Sequence, residues 1–86
     1  MKPTIALIGP GKVGCAIGRL LHLAGYQLTA VISRDKQRAI EACNFISCSS
    51  ELGSDQLADA ESANILMLAV PDDQIKSLTI ALSPYL

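Results

Sequence analysis

The 86-residue chain lacks an excess of charge of either sign: seven Lys and Arg stand against eight Asp and Glu, a formal net charge of -1. With no basic field to attract polyanions, nucleic acid and anionic membrane surfaces are excluded as partners. Paired cysteines are missing too. Cys15, Cys43 and Cys48 are odd in number and none stands in C-x-x-C spacing, so neither a disulfide framework nor a zinc site is expected and the compartment reads as reducing. Long apolar runs are also absent. Gly9, Pro10 and Gly11 break the opening stretch Ile5 to Ile8 too early for a secretory signal. The longest clean run, Ile65 to Val70, falls far short of the roughly 20 residues that cross a bilayer. A soluble, cytoplasmic protein is expected. There is no internal repeat or low-complexity tract, and histidine occurs once, at His22.

What is present is aliphatic. Half the residues are apolar and 17% are charged, which is enough apolar surface to offset ordering entropy and excludes a disordered segment. A chain of this length makes one domain at most, and more naturally part of one. It buries only about 60% of its unfolded surface, so a further portion or a partner is expected to cover its faces.

Strand and helix patterns alternate. Ile5, Leu7 and Ile8, without strict polar alternation, read as a parallel strand covered on both faces. From Lys12 to Ala24, apolar Val13, Ile17, Leu20, Leu21 and Ala24 recur at three- and four-residue intervals, an amphipathic helix stopped by Gly25. Leu28 to Ser33 predicts a second strand, after which Asp35 caps a helix through Cys43, with Ala39, Ile40 and Cys43 facing inward. Phe45 to Cys48 is expected to be a short third strand. Between Ser49 and Ala63 the pattern is weak, interrupted by Gly53, with one short helix near Asp55 to Ala60. Ile65 to Val70 predicts a fourth strand ended by Pro71. Asp72 then caps a helix whose Ile75, Leu78 and Leu82 share a face up to Pro84. The expected fold is α/β, a Rossmann-type, mostly parallel sheet in the order 3-2-1-4 with helices on both faces. The fourth strand carries no polar residue to blunt an edge and reads as an interior strand whose outer neighbour lies beyond Leu86.

Gly9-Pro10-Gly11-Lys12-Val13-Gly14 fits G-x-G-x-x-G, follows a strand and opens a helix, the context of a dinucleotide-binding turn. The first glycine permits the tight turn, the second lets backbone approach a pyrophosphate, and the third lets the helix pack closely on the strand. The N–H groups of Gly11, Lys12, Val13 and Gly14, with the positive end of the helix dipole, favour an anion without any cationic side chain. Gly18, one turn later, keeps the same helix face narrow. About 20 positions beyond the glycines, where an acidic residue would select NAD, stand Ser33 and Arg34. A hydroxyl and a guanidinium suit the 2′-phosphate of NADP. The alternative is NAD, with Asp35 bonding the ribose and Arg34 solvated.

These residues, with Ala69-Val70-Pro71-Asp72-Asp73-Gln74-Ile75, resemble the N-terminal domain of the Rossmann-like NADP-binding oxidoreductases. That group includes the deazaflavin (coenzyme F420)-dependent NADP reductases and the pyrroline-5-carboxylate reductases. By the V-P-D-D-x-I stretch the chain is most similar to an incompletely characterised family with a Rossmann-like first domain and a helical second domain. The resemblance implies that Gly9 to Gly14 hold the pyrophosphate, Ser33 and Arg34 the 2′-phosphate, and that Ala69, Val70 and Pro71 lie beside the cofactor. It also implies that residues 1–86 are an N-terminal NADP-binding domain, a fragment followed by further strands and a helical C-terminal domain.

Other candidates read more plainly. His22 lies on the far half of its helix, away from the strand ends, and is a surface residue. Cys15, in the first helical turn, could be activated by the dipole but reads as a small packing residue. Lys12 either adds a charge contact to the pyrophosphate or points to solvent while its N–H binds. Asp72 and Asp73 are a helix cap and first-turn dipole partner rather than an acid–base pair or metal site. No residue is assigned a catalytic or metal-binding role. The expected function is NADP(H) binding for an oxidoreductase transferring hydride to or from an unidentified substrate. The alternative is a non-catalytic dinucleotide-binding or redox-sensing module. Association is expected with the missing C-terminal domain or with a second copy through the fourth-strand edge.

Overall fold

Apolar strands alternate with helices through the chain, and the computed structural model describes them over residues 3–9, 11–70 and 72–85. Strands β1 (Thr4–Ile8), β2 (Gln27–Ile32), β3 (Gly53–Ser54) and β4 (Ile65–Leu68) form one sheet in the order β3-β2-β1-β4. All three pairings are parallel. Helices α1 (Lys12–Leu23), α2 (Lys36–Ile46) and α3 (Asp72–Leu82) complete the fold, with short 3-10 turns between α2 and β4 and after α3. The expected α/β architecture and strand order are therefore those of the molecule. Among the described residues no helix is long and apolar enough to cross a membrane.

The sheet is covered on both faces, which is why its strands do not alternate polar and apolar residues. On one face Ile5, Leu7, Leu28 and Val31 pack with Ala42, Cys43 and Ile46 of α2. On the other, Ala6, Ile8, Ala30 and Ile32 pack with Ala60 and with Leu82 of α3. Gly25, at φ +93°, ends α1 in the left-handed region that favours glycine. Asp35 caps α2 as expected, its Oδ1 accepting the Gln37 N–H at 2.9 Å.

Two expectations are corrected. Phe45 to Cys48 is not a strand: Phe45 and Ile46 are the last residues of α2, because Ile46 completes the buried stripe Ala39, Ala42, Cys43, Ile46. The third strand is instead the two residues at Gly53, where α2 lies so close that an added Cβ would stand 3.0 Å from the Ile40 backbone nitrogen. The expected helix near Asp55 to Ala60 is a 3-10 turn, Leu57–Ala60. Among the described residues β4 borders β1 alone, and its Ile65 is 43% exposed.

The apolar stripe of α1 also sits differently from a simple inward face. Gly14 and Gly18 are the buried residues of the helix. Val13, Ile17 and Leu20 are exposed, Val13 by 73%. Arg19 places the α2 flank of the helix, its guanidinium donating to the Phe45 carbonyl at 3.0 Å and lying over the Phe45 ring. At 100° per residue, Val13, Ile17 and Leu20 fall on the opposite flank.

Candidate functional site

The carboxyl ends of β1, β2 and β4 converge with the first turn of α1, because a parallel sheet delivers every strand to the same edge. Ile8 leads into Gly9, whose φ of +73° turns the chain away from the strand. Its N–H donates to the Ile32 carbonyl at 2.8 Å, while the Ala69 N–H donates to the Ile8 carbonyl at 2.9 Å. These two bonds tie the turn to both neighbouring strands. A side chain on Gly9 would collide with Cγ1 of Val70, and a Cβ on Gly14 would meet that of Ala69 at 2.6 Å. Ala69 and Val70 are thus the wall against which the first and third glycines pack. Gly18 repeats the device one turn later, where a Cβ would lie 3.0 Å from Ile46 and 3.1 Å from Leu7.

Gly11 is different. Among the described residues, and leaving out its own chain neighbours, nothing lies within 4 Å of a Cβ added there. It is the N-cap of α1 in an extended conformation, with no side-chain cap and no acidic residue in the first turn. The first bond of the helix runs from the Cys15 N–H to the Gly11 carbonyl at 2.9 Å, so the N–H groups of Lys12, Val13 and Gly14 have no acceptor within the helix. Donors without helical acceptors at the positive end of a helix, beside open space, suit an anion such as a pyrophosphate.

A cleft of about 680 Å³ opens over these strand ends, within the usual size of a cofactor site. Its rim carries Gly9 and Gly11 from the turn, Ser33 and Arg34 from the end of β2, and Val70 from the end of β4. The structure therefore brings the glycine turn, the Ser33-Arg34 pair and Val70 to one place. Lys12 and Val13 are exposed at the start of α1, and neither they, Gly14 nor Ala69 lines the cleft. Pro10 and Pro71 lie outside the described residues, as do the side chains of Asp72 and Asp73. Ser33 is fixed by its N–H, which donates to the Ser54 carbonyl at 2.9 Å. Asp35, the residue that would have selected NAD, spends one carboxylate oxygen on the α2 cap.

Sequence reasoning missed Arg38, which lines the cleft one helical turn after Arg34. The signal was present: once Asp35 is the cap, Arg38 falls in the first turn of α2, on the cleft side. It also missed the far wall, formed by Asp55 and Leu57 after β3 and by Gln74, Ser77, Leu78 and Ala81 of α3. Those residues carry no motif and become neighbours only through the sheet order. His22 is half-buried on α1 and does not line the cleft. Burial pushes the Cys15 thiol above its ordinary pKa, the sense of a packing residue and opposite to dipole activation.

The family model of the coenzyme F420-dependent NADP oxidoreductases matches residues 4–85. The chain belongs to this family. It is an NADP oxidoreductase-type domain, and the cofactor of the family is NADP, the one read from Ser33 and Arg34. A crystal structure of a Bacteroides fragilis protein provisionally described as an NADP oxidoreductase superposes with a TM-score of 0.77 at 20% identity. The match covers 94% of this chain and 31% of that one, so the chain spans about a third of its structural relative. No curated protein sequence matches the chain.

Proposed function

We propose that this domain holds NADP(H) across the carboxyl ends of its strands, on behalf of an oxidoreductase that transfers hydride between NADP(H) and a substrate bound by residues beyond these 86. The observation that carries the reading is the open space at Gly11 beside the first-turn N–H groups of α1, which have no acceptor within the helix. In this assignment the pyrophosphate rests on Gly9, Pro10, Gly11, Lys12, Val13 and Gly14. Ser33 and Arg34, with Arg38 added by the structure, take the 2′-phosphate. Ala69, Val70 and Pro71 flank the cofactor, and Leu57 and Leu78 line the cleft with apolar surface suited to the adenine. The group supplies hydride chemistry when bound, and the residues of this chain bind and orient it.

The same reading makes residues 1–86 the first domain of a longer protein, with further strands beside β4 and a helical domain after them. Supporting it are the half-exposed, wholly apolar β4, the bare flank Val13, Ile17, Leu20 of α1, and the threefold greater length of the structural relative. The test is calorimetric titration with NADPH and NADH at one ionic strength, on the wild type and on Arg34→Asp. NADPH is expected to bind at least about tenfold tighter than NADH to the wild type, with the preference lost in the variant, because charge-assisted bonds to the 2′-phosphate contribute about 1.5 to 3 kcal/mol. An NADPH affinity untouched by Arg34→Asp overturns the phosphate assignment.

A further inference from the structure

Cys43 and Cys48 lie on the side of the sheet away from the cleft walls and take no part in the reading above. Helix α2 ends at Ile46, and Ser47 adopts φ +72°, the left-handed conformation. The Ser47 N–H donates to the Cys43 carbonyl at 2.9 Å, and two further bonds close the cap, from the Cys48 N–H to the Cys43 carbonyl at 3.0 Å and from the Ser47 N–H to the Asn44 carbonyl at 3.3 Å. This pair of bonds, one spanning six residues and one nested inside it, is a Schellman motif. Its habitual side-chain contact joins the residue two past the helix end to the one three before it. In this chain those two residues are both cysteines. Cys43 is fully buried in the cluster formed with Leu7, Val31 and Ile46, and half-buried Cys48 packs against the same cluster.

We propose that Cys43 and Cys48 are an oxidation site, closed to an intrahelical-cap disulfide by low-molecular-weight disulfides. The Cys48 thiolate, the partner with access to solvent, attacks one sulfur of the small disulfide and expels the other half as a thiolate. Cys43, reached by water as the last turn of α2 frays, then gives up its proton, attacks the Cys48 sulfur and expels the second half as a thiolate. Two protein thiols are oxidised by two electrons and one small disulfide is reduced to two thiols. The motif supplies what an arbitrary cysteine pair lacks, two side chains packed into one cluster with the backbone between them held by hydrogen bonds.

The order of attack follows from the surroundings. Burial, then the neighbouring Cys48, push the Cys43 thiol up to about 12. Closure therefore speeds up as pH rises and the Cys43 thiolate becomes available. Cys15 also faces Cys43 electrostatically, and the test separates the two partners. Trypsin cuts after Arg38 and next after Lys76, leaving Cys43 and Cys48 in one peptide and Cys15 in another.

The folded chain is incubated with glutathione disulfide between pH 7 and 9, quenched in acid and weighed before and after digestion. The expected result is a transient single glutathionyl adduct at Cys48, followed by loss of two hydrogen masses within the Cys43–Cys48 peptide, faster at higher pH. Cys15→Ser should behave like the wild type. Cys48→Ser should not close. A glutathionyl adduct that never closes, a cross-link between the Cys15 and Cys43 peptides, or thiols that react only after denaturation would each overturn the proposal. These readouts do not involve the dinucleotide, so they stand or fall apart from the cofactor reading.

Discussion

Strands β1 and β4 are paired neighbours made of the same kind of residue, yet they end in different surroundings. Ile5, Leu7 and Ile8 of β1 are 3% exposed or less, whereas Ile65 of β4 is 43% exposed and the rest of that strand is half-buried. Helix α1 repeats the contrast around its own axis, burying Gly14 and Gly18 while leaving Val13, Ile17 and Leu20 in solvent. What stands opposite a residue decides its burial, and hydrophobicity alone does not. The apolar residues of β1 and β2 are packed to completion, and the ends of those strands, with the open space at Gly11, shape the cleft.

The sharpest way to break this contrast is at the turn. Gly9→Ala puts a side chain at φ +73° and against Val70, and should cost about 3 kcal/mol or more. Thermal or urea unfolding checks it, and a stable variant would mean that the turn is not held as described. Next in size is the strand comparison itself. Leu7→Ala opens a cavity under a residue with no exposure and should cost about 2 to 5 kcal/mol. Ile65→Ala in this chain should cost under about 1 kcal/mol. Equal losses by urea titration would show that β4 is as fully covered as β1. The smallest effect belongs to Asp35, whose side chain caps α2. Asp35→Ala should cost about 1 kcal/mol of stability while the preference for NADPH over NADH is kept. A switch in that preference would return Asp35 to the ribose.

Much of this was legible in the sequence because it depends on local chemistry. The glycine turn, the Asp35 cap and the stop at Gly25 are written in residues a few positions apart, and the structure brings the turn and Ser33-Arg34 to one cleft. The third strand was not legible. Phe45 and Ile46 have strand-forming side chains, but Ile46 continues the buried helical stripe, and packing against Leu7 and Val31 outweighs propensity. Gly53 carries no strand signal at all. It is in the sheet because only a residue without a side chain lets α2 approach so closely. The far wall of the cleft, from Leu57 to Ala81, was illegible for the same reason, since it is assembled by sheet order and not by spacing along the chain. Arg38 lay between these cases, one turn from a residue already identified.

The central claim is that the open space at Gly11 is reserved for a cofactor phosphate, and Gly11→Ala tests it most directly. With φ at -85° and, among the described residues beyond its chain neighbours, nothing within 4 Å of the new methyl group, the substitution should leave the chain folded, with no more than the loss of about 1 kcal/mol that Ala brings at an N-cap. The account predicts that NADPH affinity, measured by calorimetry on the same sample, falls about tenfold or more because the backbone can no longer approach the pyrophosphate. Wild-type NADPH affinity in a normally folded Gly11→Ala chain would contradict it.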